Sequence, residues 1–127
     1  MTATILVLED DLSLQELFCD VLQDEGHQVI AASNLPSLLE QLPERPDLLI
    51  SDVMFDLQPV GIEAISAVRS AYRERVPVIL CTAAANHVER HRDQIDRLEA
   101  VVLAKPFSID NLIQTVNDAL GRTTLCA

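Results

Sequence analysis

Basic residues are scarce in this chain. Nine Lys plus Arg stand against twenty Asp plus Glu, for a net charge of −11. A chain this acidic repels phosphate backbones and anionic lipid surfaces, so neither nucleic acid nor a membrane is an expected partner. Paired cysteines are lacking too. Cys19, Cys81 and Cys126 are odd in number, widely spaced and free of any C-x-x-C pair, which supports neither a disulfide framework nor a zinc site and fits a reducing cytoplasm. No apolar stretch approaches the ~18 residues needed to span a bilayer, and Met1-Thr2-Ala3-Thr4 runs into a strand pattern without a basic leader region. A cytoplasmic, soluble, untargeted protein is the expectation. There is no internal repeat, low-complexity segment or interdomain linker, and 127 residues suit one domain with a core that needs no staples. The expected organisation is a single domain over residues 1–127, with its core at 4–121, a tail at 122–127 and no room for a separate output domain.

What is present is a regular alternation of short apolar runs with helical patterns. Ile5-Leu6-Val7-Leu8 reads as a buried strand that ends in acid at Glu9, Asp10 and Asp11. Leu14, Leu17, Phe18, Val21 and Leu22 then share one helix face, and Gly26 stands where a helix C′ residue belongs. Val29 to Ala32 is a second strand. Asn34 to Leu42 predicts a brief helix, with Asn34 and Pro36 near its start and Pro43 and Pro46 beyond it. Leu48 to Ser51 is a third strand closed by Asp52. Ile62, Ala64, Ile65, Val68 and Tyr72 mark a third helix, and Pro77 to Cys81 a fourth strand ending at Thr82. Asn86 to Leu98 is a charged, surface-lying helix with only Val88, Ile95 and Leu98 on its apolar stripe. Val101 to Leu103 is a fifth strand ending at Lys105-Pro106. Ser108 is the expected N-cap of a last helix that carries Leu112, Ile113, Val116 and Leu120 inward and is closed by Gly121. Five strands alternating with five helices imply an α/β fold: a doubly wound parallel sheet with right-handed crossovers and both faces covered.

The chemistry follows from the polar residues at the strand ends. Strands one, three, four and five end in Glu9-Asp10, Asp52, Thr82 and Lys105, and in a parallel sheet those ends share one edge, where ligands gather. An Asp at the end of a buried strand can cap the next turn, hold a cation or act as an oxygen nucleophile toward phosphorus. Three carboxylates held close repel one another unless a cation sits among them, and hard oxygen ligands suit magnesium. Lys105 supplies a fixed positive charge and Thr82 a hydroxyl donor, which the oxygens of a phosphoryl group on Asp52 require. His87 and His91, one helical turn apart, read as a solvated helix face and not as a metal site.

These residues resemble the receiver domains of two-component response regulators over essentially the whole chain. Ile5-Leu6-Val7-Leu8-Glu9-Asp10-Asp11 is similar to the first-strand acidic motif and Pro46-Asp47-Leu48-Leu49-Ile50-Ser51-Asp52 to the phosphoacceptor motif. Val78-Ile79-Leu80-Cys81-Thr82-Ala83 matches the strand with the switch hydroxyl, and Lys105-Pro106-Phe107 the lysine motif. The resemblance implies a flavodoxin-like sheet of order 2-1-3-4-5. It also implies phosphorylation of Asp52 by a sensor histidine kinase or a histidine phosphotransfer protein, with Thr82 as switch hydroxyl and Lys105 as phosphoryl contact. Magnesium, with manganese as a substitute, would be held by Asp10, Asp52 and the backbone carbonyl of Met54, with Glu9 acting through a metal-bound water. Such a domain is not an enzyme in the ordinary sense: it catalyses only its own phosphorylation and dephosphorylation, and it signals as a monomer or weak dimer through contacts with a target protein. Met54 and Ala84, at the positions that set phosphoryl lifetime in the family, can orient no water, so slow self-hydrolysis is expected.

The sequence departs from the family pattern at several places. Asp56 stands where many receivers have Pro, and Gly61 comes one residue late, so the Asp52 to Gly61 loop is expected to be lengthened. Val102 replaces the usual aromatic residue of the switch, and Leu98-Glu99 replaces the Gly-Ala that often ends the fourth helix. Two other readings stay open: a receiver-like docking module that is never phosphorylated, and a metal-dependent phosphatase with an Asp nucleophile, for which Met54 occupies the place of a required second Asp.

Overall fold

The computed structural model describes residues 3–52, 60–72, 76–82, 89 and 92–124. Ten elements follow one another: β1 (Thr4–Leu8), α1 (Leu12–Asp24), β2 (Gln28–Ala32), α2 (Leu35–Leu39), β3 (Leu48–Asp52), α3 (Val60–Ala71), β4 (Val78–Thr82), α4 (Arg92–Leu98), β5 (Val101–Ala104) and α5 (Ile109–Thr124). The strands form one sheet of order β2-β1-β3-β4-β5, and every neighbouring pair is parallel. This is the expected flavodoxin-like arrangement.

The side-chain alternation of a strand splits the core in two. Leu6, Leu8, Leu49 and Leu80 point to one face, where Leu38 of α2, Ala64, Ile65 and Val68 of α3 and Ile95 of α4 cover them. Ile5, Val7, Leu48, Ile50 and Ile79 point to the other, under Phe18 and Leu22 of α1 and Leu112 and Val116 of α5. Strands apolar on both faces are what a sheet covered on both sides requires.

Helix boundaries follow local chemistry. Asp11 caps α1 by accepting from the Ser13 and Leu14 amides at 3.0 and 3.2 Å. At the other end Gly26 adopts φ +91°, so that its N–H and that of His27 reach the Gln23 and Leu22 carbonyls, a closure that favours glycine. Asn34 caps α2 through the Ser37 amide at 2.8 Å. That helix stops at Leu39 and not at Leu42, because Pro43 disfavours helical backbone in the residue before it; Leu42 packs on the core nonetheless. Ser108 caps α5 through the Asn111 amide at 3.0 Å. Gly121 does not close α5, which runs on to Thr124. A glycine inside a helix costs only about 1 kcal/mol, and it ends one when it takes the left-handed conformation, which among the described glycines only Gly26 does.

Helix α4 is described from Arg92, so the first turns of the predicted Asn86–Leu98 helix, with His87 and His91, lie outside the described residues. Ile95 is buried, and Arg92, Asp93, Asp96 and Arg97 are exposed as expected. The helix is followed by Glu99 at φ 56°, a left-handed backbone in which a Cβ is strained. Replacing Glu99 by Gly should therefore leave the protein more stable than replacing it by Ala, by about 1 kcal/mol. Both variants lose the glutamate side chain, so their difference isolates the backbone. Thermal melts of the pair check this, and an Ala variant as stable as the Gly variant would refute it.

Candidate functional site

The sheet order sets the site. Because β1 and β3 are neighbours, paired as far as Leu8↔Ser51, the residues next after that pair, Glu9 just past β1 and Asp52 as the last of β3, emerge side by side. Lys105 follows β5, two strands away from β3, and its backbone N–H is bonded to the Thr82 carbonyl at 2.8 Å. The Lys105-Pro106 peptide is cis. From there the Lys105 ammonium donates to Glu9 Oε1 and to Asp52 Oδ2, each at 2.9 Å. Phe107 stacks on Phe18, with centroids 5.7 Å apart, which ties the lysine segment to α1.

This is a desolvated ion cluster. Glu9 is 1% exposed, Asp52 8% and Thr82 3%, and the Lys105 side chain is 18% exposed. Burial raises the Glu9 pKa above the ordinary carboxylate value, although the Lys105 hydrogen bond and the Asp11 amide, 3.2 Å from Oε2, pull the other way. Burial by itself would lower the Lys105 pKa, but its bonds to Glu9 and Asp52 outweigh that and raise it. The Cys81 thiol, beside Asp52 in the β3–β4 register, is pushed up by burial to about 12, which favours the protonated thiol at neutral pH.

Asp10 completes the acidic set. It is exposed, and one carboxylate oxygen from each of Glu9, Asp10 and Asp52 lies within 4.8 Å of the others. Three hard anionic oxygens gathered beside one lysine are a donor set that fits a magnesium or manganese ion. Of the residues predicted for the site, Glu9, Asp52 and Lys105 are thus in direct contact, and Asp10 joins them. Thr82 is buried at the same sheet edge, its carbonyl holding the lysine segment. Met54, Asp56 and Ala84 lie outside the described residues; Gly61 is in the first turn of α3. Val102 is half-buried and packs on the core.

One contributor carried no motif. Gln15, on the half-buried side of α1, donates from Nε2 to the Glu9 carbonyl at 2.9 Å and to Ser33 Oγ at 3.3 Å. Only its position among the apolar residues of that face, between Leu14 and Phe18, hinted that a polar group there needed a partner.

Comparison with known proteins agrees with this geometry. Residues 5–117 match the family described as the response regulator receiver domain. Over 124 residues the chain is 31% identical to the phosphate regulon transcriptional regulatory protein PhoB of Escherichia coli, covering 96% of this chain and 53% of that protein. Over 122 residues it is 30% identical to the transcriptional regulatory protein PdtaR of Mycobacterium tuberculosis, covering 93% and 57%. The chain therefore spans about half the length of the curated relatives it matches. Among solved structures it is similar to the chemotaxis response regulator CheY4 of Vibrio cholerae, with TM-score 0.79, 28% identity, and 94% of this chain and all of that one covered. Among the described residues no helix is long and apolar enough to cross a membrane. The sheet order, the acidic set with its lysine, and the family match over 5–117 together place the chain among the receiver domains of two-component response regulators.

Proposed function

We propose that Asp52 accepts a phosphoryl group from a histidine of a sensor kinase or phosphotransfer protein, and that the chain signals through a protein contact altered by that charge. The observation that carries the reading is the Lys105 ammonium held 2.9 Å from both Glu9 and Asp52. An oxygen of the Asp52 carboxylate attacks phosphorus; the O–P bond forms as the bond to the donor nitrogen breaks, and the electron pair leaves with the donor imidazole. Lys105 offsets the charge that builds on the phosphoryl oxygens, and the Thr82 hydroxyl donates to one of them, in a reaction driven by positioning and charge neutralisation. Asp10, Asp52 and the Met54 carbonyl would hold magnesium or manganese directly and Glu9 through a water. Such an ion, when bound, would supply further neutralisation of the negative charge on the phosphoryl oxygens.

Acetyl phosphate with magnesium should add one phosphoryl group that survives acid, is released by hydroxylamine, and fails to appear when a chelator is present. A folded protein that takes up none from acetyl phosphate or from kinases is instead the unphosphorylated docking module, a reading favoured by Val102 in the aromatic switch position. Continuous release of phosphate would revive the phosphatase reading, which family membership leaves without support.

The two acidic neighbours should respond differently. Asp10→Asn is expected to weaken magnesium binding more than Glu9→Gln, because a direct ligand loses more than one acting through water. The metal-free Glu9→Gln protein should also melt higher than wild type. A raised folded pKa means that Glu9 favours the fold below its unfolded value of 4.5 and ceases to as pH rises through the folded value, so at neutral pH its buried charge is a net burden. Magnesium titrations followed by amide shifts, with melts in chelator, check both; a Glu9→Gln protein that loses more affinity than Asp10→Asn would reverse the roles.

A further inference from the structure

We infer that Gln15 is a positioning residue for the cation site, an inference that rests on the metal reading above. The β1 ladder ends at Leu8, opposite Ala32 and Ser51, so the Glu9 carbonyl lies beyond the last ladder pair. Gln15 supplies its partner through Nε2 at 2.9 Å and uses the same amide nitrogen to reach Ser33 Oγ at 3.3 Å. Its backbone N–H meanwhile bonds the Asp11 carbonyl at 2.8 Å. One residue of α1 therefore grips the acidic turn on both sides of Asp10. Further ties among the described residues are the Glu9 N–H to the Ala32 carbonyl at 3.1 Å, the Asp11 N–H to Glu9 Oε2 at 3.2 Å, the Lys105 ammonium to Glu9 Oε1 and the Ser13 and Leu14 amides to Asp11 Oδ1.

These ties fix the Glu9-Asp10 peptide plane, and with it the direction in which the exposed Asp10 carboxylate leaves the chain. Asp10 itself is exposed. Removing the Gln15 amide frees that plane to rotate, so Asp10 samples orientations that leave the acidic set incomplete, and the ion must then offset that ordering when it binds. Groups behind the direct ligands typically contribute 10–100-fold in metal affinity. A hydrogen bond to a backbone carbonyl at the rim of the sheet contributes far less than that to folding.

The test compares wild type with Gln15→Met, which keeps length and lacks the donor, Gln15→Ala as a second donor-less variant, and Gln15→Arg, which restores N–H donors. Magnesium is titrated against each protein by amide chemical shifts, and melting is followed in chelator. The expected result is roughly tenfold weaker magnesium binding in the Met and Ala variants, with wild-type affinity largely regained in Arg. Melting in chelator should shift by no more than a few degrees, and labelling by acetyl phosphate should recover at saturating magnesium. If wild type binds magnesium and the Met and Ala variants bind it equally well, this inference fails alone. Equal weakening in Met, Ala and Arg would overturn it in favour of simple packing. No saturable shift in wild type would overturn the metal reading and this inference with it. Should Met fail to fold, the Ala and Arg pair decides.

Discussion

Asp52→Asn protein is expected to take up no phosphoryl group under conditions that label the wild type. The substitution keeps the size and planarity of the side chain but replaces an anionic oxygen nucleophile with a neutral amide, which cannot attack phosphorus at a useful rate. Asp52 is buried at the end of β3, and its Lys105 contact at 2.9 Å can persist as a hydrogen bond from the ammonium to the neutral Asn oxygen, so the fold is expected to be retained. The loss is then chemical and not structural, and circular dichroism beside the labelling assay separates the two. Unchanged incorporation in the Asn protein would move the acceptor elsewhere and sink the assignment.

Lys105→Met is expected to slow phosphorylation by about 10²–10³-fold, the usual loss on removing one preorganised donor from a site of developing negative charge. The same change should tighten magnesium binding, since Glu9 and Asp52 no longer share their charge with an ammonium group 2.9 Å from each. The metal-free protein should be destabilised, because Glu9, at 1% exposure, loses its cation partner; breaking such a pair from one side typically costs about 3–5 kcal/mol. The alkaline limb of the stability curve should change too. Although burial opposes it, the two carboxylates raise the Lys105 pKa above 10.5. That stabilisation is complete below pH 10.5 and is lost as pH rises through the folded value, and the Met variant lacks it. Labelling rates, magnesium titrations and melts across alkaline pH check the three effects. A Met variant that labels as fast as wild type would remove Lys105 from the chemistry.

The fold and most of the site were legible in the sequence because both depend on local pattern. Apolar runs such as Ile5 to Leu8 and Leu48 to Ser51 are strands buried on both faces whatever their neighbours, and their polar closing residues must lie at the ends of the strands. The helix starts at Asn34 and Ser108 belong to the same class: a side chain two or three residues from the amide it accepts from acts within its own segment. Glu9, Asp10, Asp52, Thr82 and Lys105 could therefore be named from order and chemistry alone.

Other features were decided only by the tertiary structure. Nothing in the pattern around Lys105 states that its ammonium crosses the sheet to meet partners 96 and 53 residues away; that requires β1 beside β3 and β5 held by the Thr82 carbonyl. The helical continuation through Gly121 was hidden because a glycine permits a left-handed turn without compelling one. The end of α2 at Leu39 reflects a balance between a following proline and the burial of Leu42. Gln15 was only faintly signalled for a further reason: glutamine is an ordinary helix residue, and its use here depends on the Glu9 carbonyl lying beyond the last ladder pair, a position set by the meeting of β1, β2 and α1 and by no one of them.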